Sequence, residues 1–237
     1  MKKIMIAPSI LSCDFSILKD ELKKIEDSGA DMVHIDVMDG NFVPNITIGP
    51  LIVEAIKKNT RLPLDTHLMI ANPQKFVPAF IEAGSDIVTI HAEAFAKKTS
   101  PSSLTKGMSF SVNEIDEYRL QEALSLIKDK GKKAGVSLNP DSSFCIKGIL
   151  KDIDMILLMS VHPGFGGQKF IEKVIPKIKE ARSLYEGDIQ VDGGINDKNV
   201  SSAVEAGANI IVAGSYFFSA KDPKEAVNKL RIKTESS

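Results

Sequence analysis

Apolar positions along the chain follow two alternating rhythms. Short, nearly unbroken apolar runs, "IMIAP", "MVHIDV", "PLDTHL", "DIVTI", "AGVSL", "DMILLM", "DIQV" and "NIIVA", are separated by helix-period segments such as "FSILKDELKKIEDS" and "QEALSLIKDKGKK". Runs of this kind predict strands covered on both faces, and the longer segments predict amphipathic helices. The junctions "IEDSGADMVHID", "IEAGSDIVTIH" and "VEAGANIIVAG" share one plan: an acidic helix end, a glycine, a small residue, then Asp or Asn and a strand. Gly29, Gly84 and Gly207 fit the left-handed position that closes a helix. Eight strands alternating with helices in 237 residues predict an α/β chain folded as a single closed (β/α)8 barrel domain over residues 1–237. A doubly wound open sheet is the alternative.

Polar groups interrupt two of these strands at period two. In "HIDVM", His34, Asp36 and Met38 share one face and Val33, Ile35 and Val37 the other; in "LDTHLM", Asp65, His67 and Met69 alternate with Leu64, Thr66 and Leu68. The outer face of a barrel strand packs under helices, so the polar face points inward, and "VDGG" adds Asp192 at the end of the seventh strand. One buried His beside an Asp is ordinarily a satisfied polar pair. Convergence from three strand ends is different, because two carboxylates brought together without a cation repel each other and resist ionisation. His34, Asp36, His67 and Asp192 therefore form a candidate site for one divalent ion, with nitrogen and oxygen donors that suit Zn, Fe, Mn or Co.

Glycine clusters at three later strand ends point to an anion. "MSVHPGFGGQKF" places Gly164, Gly166 and Gly167 before a helix-period run from about Phe170, and "DGG" and "AGS" end the seventh and eighth strands. Any one of them reads equally well as a tight strand-to-helix turn. Three on adjacent strands favour a phosphate group held by backbone N–H groups.

Composition narrows the partners. Thirty Lys plus Arg against 31 Asp plus Glu leave a net charge of -1, so no global field draws the chain to nucleic acid or an anionic membrane. The opening "MKKIMIAPSIL" is interrupted by Pro8, Ser9 and Asp14 before it reaches signal-peptide or membrane-spanning length. Cys13 and Cys145 lack a C-x-x-C partner, which suits a reducing, cytoplasmic compartment, and neither is expected to act as a nucleophile.

Taken in order, "APSILSCDF", "HIDVMDGNFVPN", "THLMI", "HAEA", "GVSLNP", "MSVHPGFGGQKF", "VDGGI" and "VAGSYFF" resemble the ribulose-phosphate 3-epimerase family over nearly the whole chain. The resemblance implies a TIM barrel that inverts carbon 3 of a phosphorylated ketose, interconverting D-ribulose 5-phosphate and D-xylulose 5-phosphate in the pentose phosphate pathway. It implies Asp36 and Asp192 as the acid/base carboxylates and His34, Asp36, His67 and Asp192 as metal ligands. For substrate and phosphate it implies Ser9, His67, Gly164, Phe165, Gly166, Gly167, Asp192, Gly193, Gly194, Gly214 and Ser215. Met38, Met69 and Met159 are candidates to line the site, although core packing is the simpler role for methionine. A homo-oligomer is the expected assembly.

His91 in "TIHAEA" and Asn139 in "SLNP" end strands four and five, where each reads either as a substrate-hydroxyl contact or as a cap on the rim. Two features depart from the family pattern. One is His162 before "PGFGG"; the other is the segment "FAKKTSPSSLTKGMSFSVNEIDEY" at 95–118. Within it, an insert at about 97–113 holds few large apolar groups and is expected to stay mobile, or to order only against substrate or a neighbouring subunit. A 3-epimerase of a longer ketose phosphate, such as allulose 6-phosphate, is the nearest rival. A decarboxylase of related fold would want a lysine beside the carboxylates, which "HIDVMD" and "DTHLM" lack. A non-catalytic sugar-phosphate module would have no need for both aspartates together with a cation.

Overall fold

All eight expected strands form. The computed structural model of the chain describes residues 2–97 and 111–235. Strands β1 (Met5–Pro8), β2 (Val33–Met38), β3 (Leu64–Met69), β4 (Ile87–His91), β5 (Lys133–Leu138), β6 (Met155–Met159), β7 (Asp188–Asp192) and β8 (Ile210–Ala213) make one parallel sheet in the order β1-β8-β7-β6-β5-β4-β3-β2. A parallel bridge between Ser9 and His34 brings the first and last strands of that order together, and Asp31 N donates to Ile6 O at 2.9 Å on the same seam. The result is a nearly closed (β/α)8 TIM barrel.

The helices are α1 (Leu18–Asp27), α2 (Pro50–Lys57), α3 (Pro73–Glu82), α4 (Glu117–Lys128), α5 (Ile175–Leu184), α6 (Val200–Glu205), the short α7 (Ser215–Phe218) and α8 (Pro223–Glu235). Gly29, Gly84 and Gly207 take φ values of +79°, +110° and +119°, as expected of residues that turn a helix end toward the next strand. The alternation has one irregularity. Between β5 and β6 the chain makes a 3-10 helix, Lys147–Asp152, instead of an α-helix. The helix-period run after "PGFGG" also starts later than Phe170, with a 3-10 turn at Glu172–Val174 leading into α5.

Strand faces sort as the period-two pattern requires. Val33, Ile35, Val37, Leu64 and Leu68 join the large core shared with the helices. Thr66, on the same outward face, exchanges a 2.7 Å hydrogen bond with Ser85. Inside the barrel, Ala7, Met32, Ile87, Met155, Ile210 and Val212 form a separate apolar plug, and the inward polar residues stand nearer the carboxyl ends of the strands. This division places a dry floor beneath a polar site at the end where such barrels carry their chemistry.

Residues 98–110 of the insert lie outside the described residues, and so does most of the expectation that it is mobile. Its ends are anchored. Ala96 bridges Ile115, Lys97 N donates to Glu114 O at 3.3 Å, and Val112 and Ile115 are buried in the main core. The expected low burial therefore does not extend to Val112.

Candidate active site at the carboxyl mouth of the barrel

Register brings four ligand-bearing side chains together. Asp36 pairs in register with His67 across β2 and β3, and one donor atom from each of His34, Asp36, His67 and Asp192 lies within 4.8 Å of the others. His34 Nε2 stands 3.4 Å from Asp36 Oδ1 and 3.7 Å from Asp192 Oδ2; His67 Nδ1 stands 3.2 Å and 3.7 Å from the same two oxygens. All four residues are buried.

Each imidazole is held from behind. His34 Nδ1 is 2.7 Å from Asp65 Oδ2, and Gln190 Nε2 donates to that same oxygen at 2.5 Å. With Nδ1 engaged by the Asp65 carboxylate, His34 turns Nε2 into the cluster, and this buried nitrogen has no hydrogen-bond partner. An unpartnered, buried imidazole nitrogen aimed between two carboxylates is the arrangement a divalent ion would complete. The residues therefore fit a metal. Ser9 Oγ donates to Asp36 Oδ2 at 2.5 Å, which leaves Oδ1 for the cluster.

Electrostatics of the ion-free cluster are lopsided. Burial alone would depress the His34 pKa, but the adjacent Asp36 and Asp65 carboxylates raise it well above the usual imidazole range. Burial pushes His67 down to about 4. Burial works against ionised Asp36, yet the adjacent His34 and His67 imidazoles hold its carboxyl far below the ordinary range. Burial and the Asp36 charge push Asp192 up to about 7. Two carboxylates in one site thus favour opposite protonation states, the separation that acid/base pairs need.

Above the cluster lies a cavity lined by every remaining residue of the expected substrate and phosphate set: Ser9, Gly164, Phe165, Gly166, Gly167, Gly193, Gly194, Gly214 and Ser215. Asp36, Asp192, Met38, Met69 and Met159 also line it, whereas His34 and His67 lie behind the surface. Leu11, Ser12 and Gln168 complete parts of the wall that sequence reasoning did not single out. Gln168 Nε2 donates to the carbonyls of His162 and Phe165 at 2.6 and 2.8 Å, and Asn45 Nδ2 to that of Gly164 at 2.8 Å, so the glycine loop is pinned from two sides.

Gly194 shows why the wall is glycine. Its φ is +66°, and an added Cβ would come within 2.4 Å of the Phe170 backbone nitrogen. Gly194→Ala is expected to cost about 1–3 kcal/mol of stability from backbone strain, more if the Phe170 segment fails to yield. Denaturant unfolding measures the loss.

His91 and Asn139 are buried and are not among the residues that line the cavity. His91 Nε2 instead meets His67 Nε2 at 2.8 Å. His162 also lies outside the lining, 3.6 Å from the Asp141 carboxylate. Burial pushes the Cys13 and Cys145 thiols up to about 12 and about 11, and neither lines the cavity. Among the described residues, no helix is long and apolar enough to cross a membrane.

A parallel barrel with a buried His/Asp cluster under a glycine-walled pocket defines a (β/α)8 barrel with a candidate cation site at its carboxyl mouth. Its backbone superposes on 3-hexulose-6-phosphate synthase from Salmonella typhimurium with a TM-score of 0.63 at 17% identity, covering 98% of this chain and 99% of that one, a likeness of fold. Sequence carries the likeness further. The chain belongs to the Ribulose-phosphate 3 epimerase family, whose sequence model matches residues 5–113 and 103–218. It is 47% identical over 235 residues to a ribulose-phosphate 3-epimerase of Bacillus subtilis (strain 168), covering 96% of this chain and 98% of that one. A second enzyme of that name, from Synechocystis, is 46% identical over 236 residues, with 97% and 94% coverage. The chain is accordingly an epimerase, and the family match divides within the segment between β4 and α4.

Proposed function

We propose that the chain interconverts D-ribulose 5-phosphate and D-xylulose 5-phosphate through a 2,3-enediolate, as a step of the pentose phosphate pathway, with Asp36 and Asp192 as the two proton carriers. The observation that carries this reading is the convergence of both carboxylates, from β2 and β7, on the floor of one glycine-walled cavity. Inverting a carbon beside a ketone requires one group to remove its proton and a second to return a proton on the opposite face. Carboxylates on different strands of a closed barrel can flank a substrate lying between them.

His34, Asp36, His67 and Asp192 would hold one divalent ion, Zn, Fe, Mn or Co. When bound, the ion would supply Lewis-acid stabilisation of the negative charge that develops on the oxygens of carbons 2 and 3, worth several kcal/mol. The remaining work falls to the chain's own groups. Ser9 orients Asp36 through its Oδ2, and Met38, Met69 and Met159 exclude water from the plane in which the ketose lies. Among the described residues neither Lys nor Arg lines the cavity, and the groups that face it and can hold the phosphate are the backbone N–H groups of the Gly164–Gly167, Gly193–Gly194 and Gly214–Ser215 segments together with serine hydroxyls.

The test is conversion of purified D-ribulose 5-phosphate, followed by a xylulose-specific coupled assay, beside a hexulose 6-phosphate under the same conditions. The pentose is expected to turn over faster. Exclusive turnover of the hexulose would transfer the assignment to the longer substrate.

A further inference from the structure

We propose that Glu93 and His91 are positioning residues that select the tautomer of His67, leaving its Nδ1 lone pair facing Asp36 and Asp192. The inference rests on reading the four-residue cluster as a cation site, since an imidazole can ligate only through an unprotonated nitrogen.

Hydrogen positions follow from the chain of contacts. His67 Nε2 and His91 Nε2 are 2.8 Å apart, with ring planes 22° from parallel and centroids 4.9 Å apart. That is an edge-to-edge N–H···N bond, in which one ring donates and the other accepts. The choice is made one residue further on. His91 Nδ1 lies 3.0 Å from Glu93 Oε2, and an ionised carboxylate only accepts. His91 therefore carries its proton on Nδ1 and accepts at Nε2, His67 donates from Nε2, and His67 Nδ1 is left bare, 3.2 Å from Asp36 Oδ1.

Glu93 is fixed in turn from the far side. Asn139 N donates to Oε1 at 2.7 Å and Ser142 Oγ to the same oxygen at 2.5 Å, while Val112 N donates to Ser142 Oγ at 3.1 Å. Two donors on Oε1, with the His91 ring at Oε2, favour the ionised carboxylate despite its burial. His67, His91 and Glu93 are all buried, and placing a carboxylate in the barrel wall carries a desolvation cost that an apolar side chain would avoid. A tautomer relay gives that carboxylate a purpose. His34 is set by Asp65 in one step; His67 is set by Glu93 in two.

Glu93→Gln tests the relay without changing shape. The Asn139 backbone N–H still requires an oxygen at Oε1, so the new NH2 group takes the Oε2 position and faces His91 Nδ1. His91 must then accept at Nδ1 and donate from Nε2, and His67 must place its proton on Nδ1, against the cation site. In ion-free wild-type protein labelled with nitrogen-15 on histidine, ring-nitrogen spectra are expected to show His67 protonated at Nε2. In Glu93→Gln the proton moves to Nδ1, and zinc affinity measured by competition with a chelating dye falls by about 10-fold to 100-fold. Wild-type His67 protonated at Nδ1 overturns the relay, and this readout stands even if the variant fails to fold. An unchanged tautomer and unchanged zinc affinity in Glu93→Gln overturn it equally. Wild-type protein that takes up no zinc would instead remove the cation reading, with the nitrogen spectra still deciding the relay.

Discussion

Asp36→Asn and Asp192→Asn are each expected to lower turnover by about 100-fold to 10,000-fold, the usual contribution of a positioned acid or base. An amide of nearly the same shape fills the same space, so the barrel persists and circular dichroism is unchanged. The two variants differ in what else they disturb. Asp36 is held ionised by His34 and His67 and accepts a hydrogen bond from Ser9. Asp192 is pushed toward its neutral form by burial and by Asp36. Removing the charge at 36 leaves His34 with Asp65 as its remaining close carboxylate below the cluster, whereas removing it at 192 relieves a like-charge contact. Ion-free Asp36→Asn should therefore melt at a lower temperature than ion-free Asp192→Asn, which should lie close to wild type. Near-native turnover in either variant, with metal content unchanged, would refute the two-carboxylate assignment.

Strong chelation is expected to abolish activity, and Mn, Co, Zn or Fe to restore part of it. His67→Ala removes one of the two imidazole donors and should weaken metal retention, measured by elemental analysis after dialysis. The protonation states give the sign of the pH dependence. His34, raised above its ordinary range in the ion-free site, and Asp192, pushed up to about 7, both carry protons that an incoming cation must displace. Metal uptake near neutral pH should release protons, and affinity should fall as pH falls. Calorimetry in two buffers of different ionisation enthalpy measures that release. Full activity in protein shown to be metal-free would contradict the cation reading.

The barrel was legible because its strands are short apolar runs set between helices closed by glycine, and because a period of two separates Val33, Ile35 and Val37 from His34, Asp36 and Met38. The same period brought Asp65 to the inner face with His67, yet its partner was hidden. Gln190 lies 125 residues away, and only closure of the barrel brings it to Asp65. Glu93 was equally opaque. It sits two residues past His91, in a 3-10 turn after β4, and its other contacts, Asn139 and Ser142, come from the end of the next strand and the loop beyond. Local patterns identify which side chains point inward. They do not say which inward groups meet across the barrel, and the layer behind the ligands is made of such meetings. The 3-10 connection between β5 and β6 escaped notice for another reason: one short apolar stretch does not distinguish a 3-10 turn from an α-helix.

The most direct test of the central claim is proton exchange at carbon 3. Incubated with D-ribulose 5-phosphate in deuterated water and followed by proton NMR, the metal-loaded enzyme is expected to replace the carbon 3 hydrogen with solvent deuterium in both the recovered ribulose and the xylulose formed. Epimerisation that leaves the original hydrogen on carbon 3, or exchange confined to a hexulose phosphate, would contradict it.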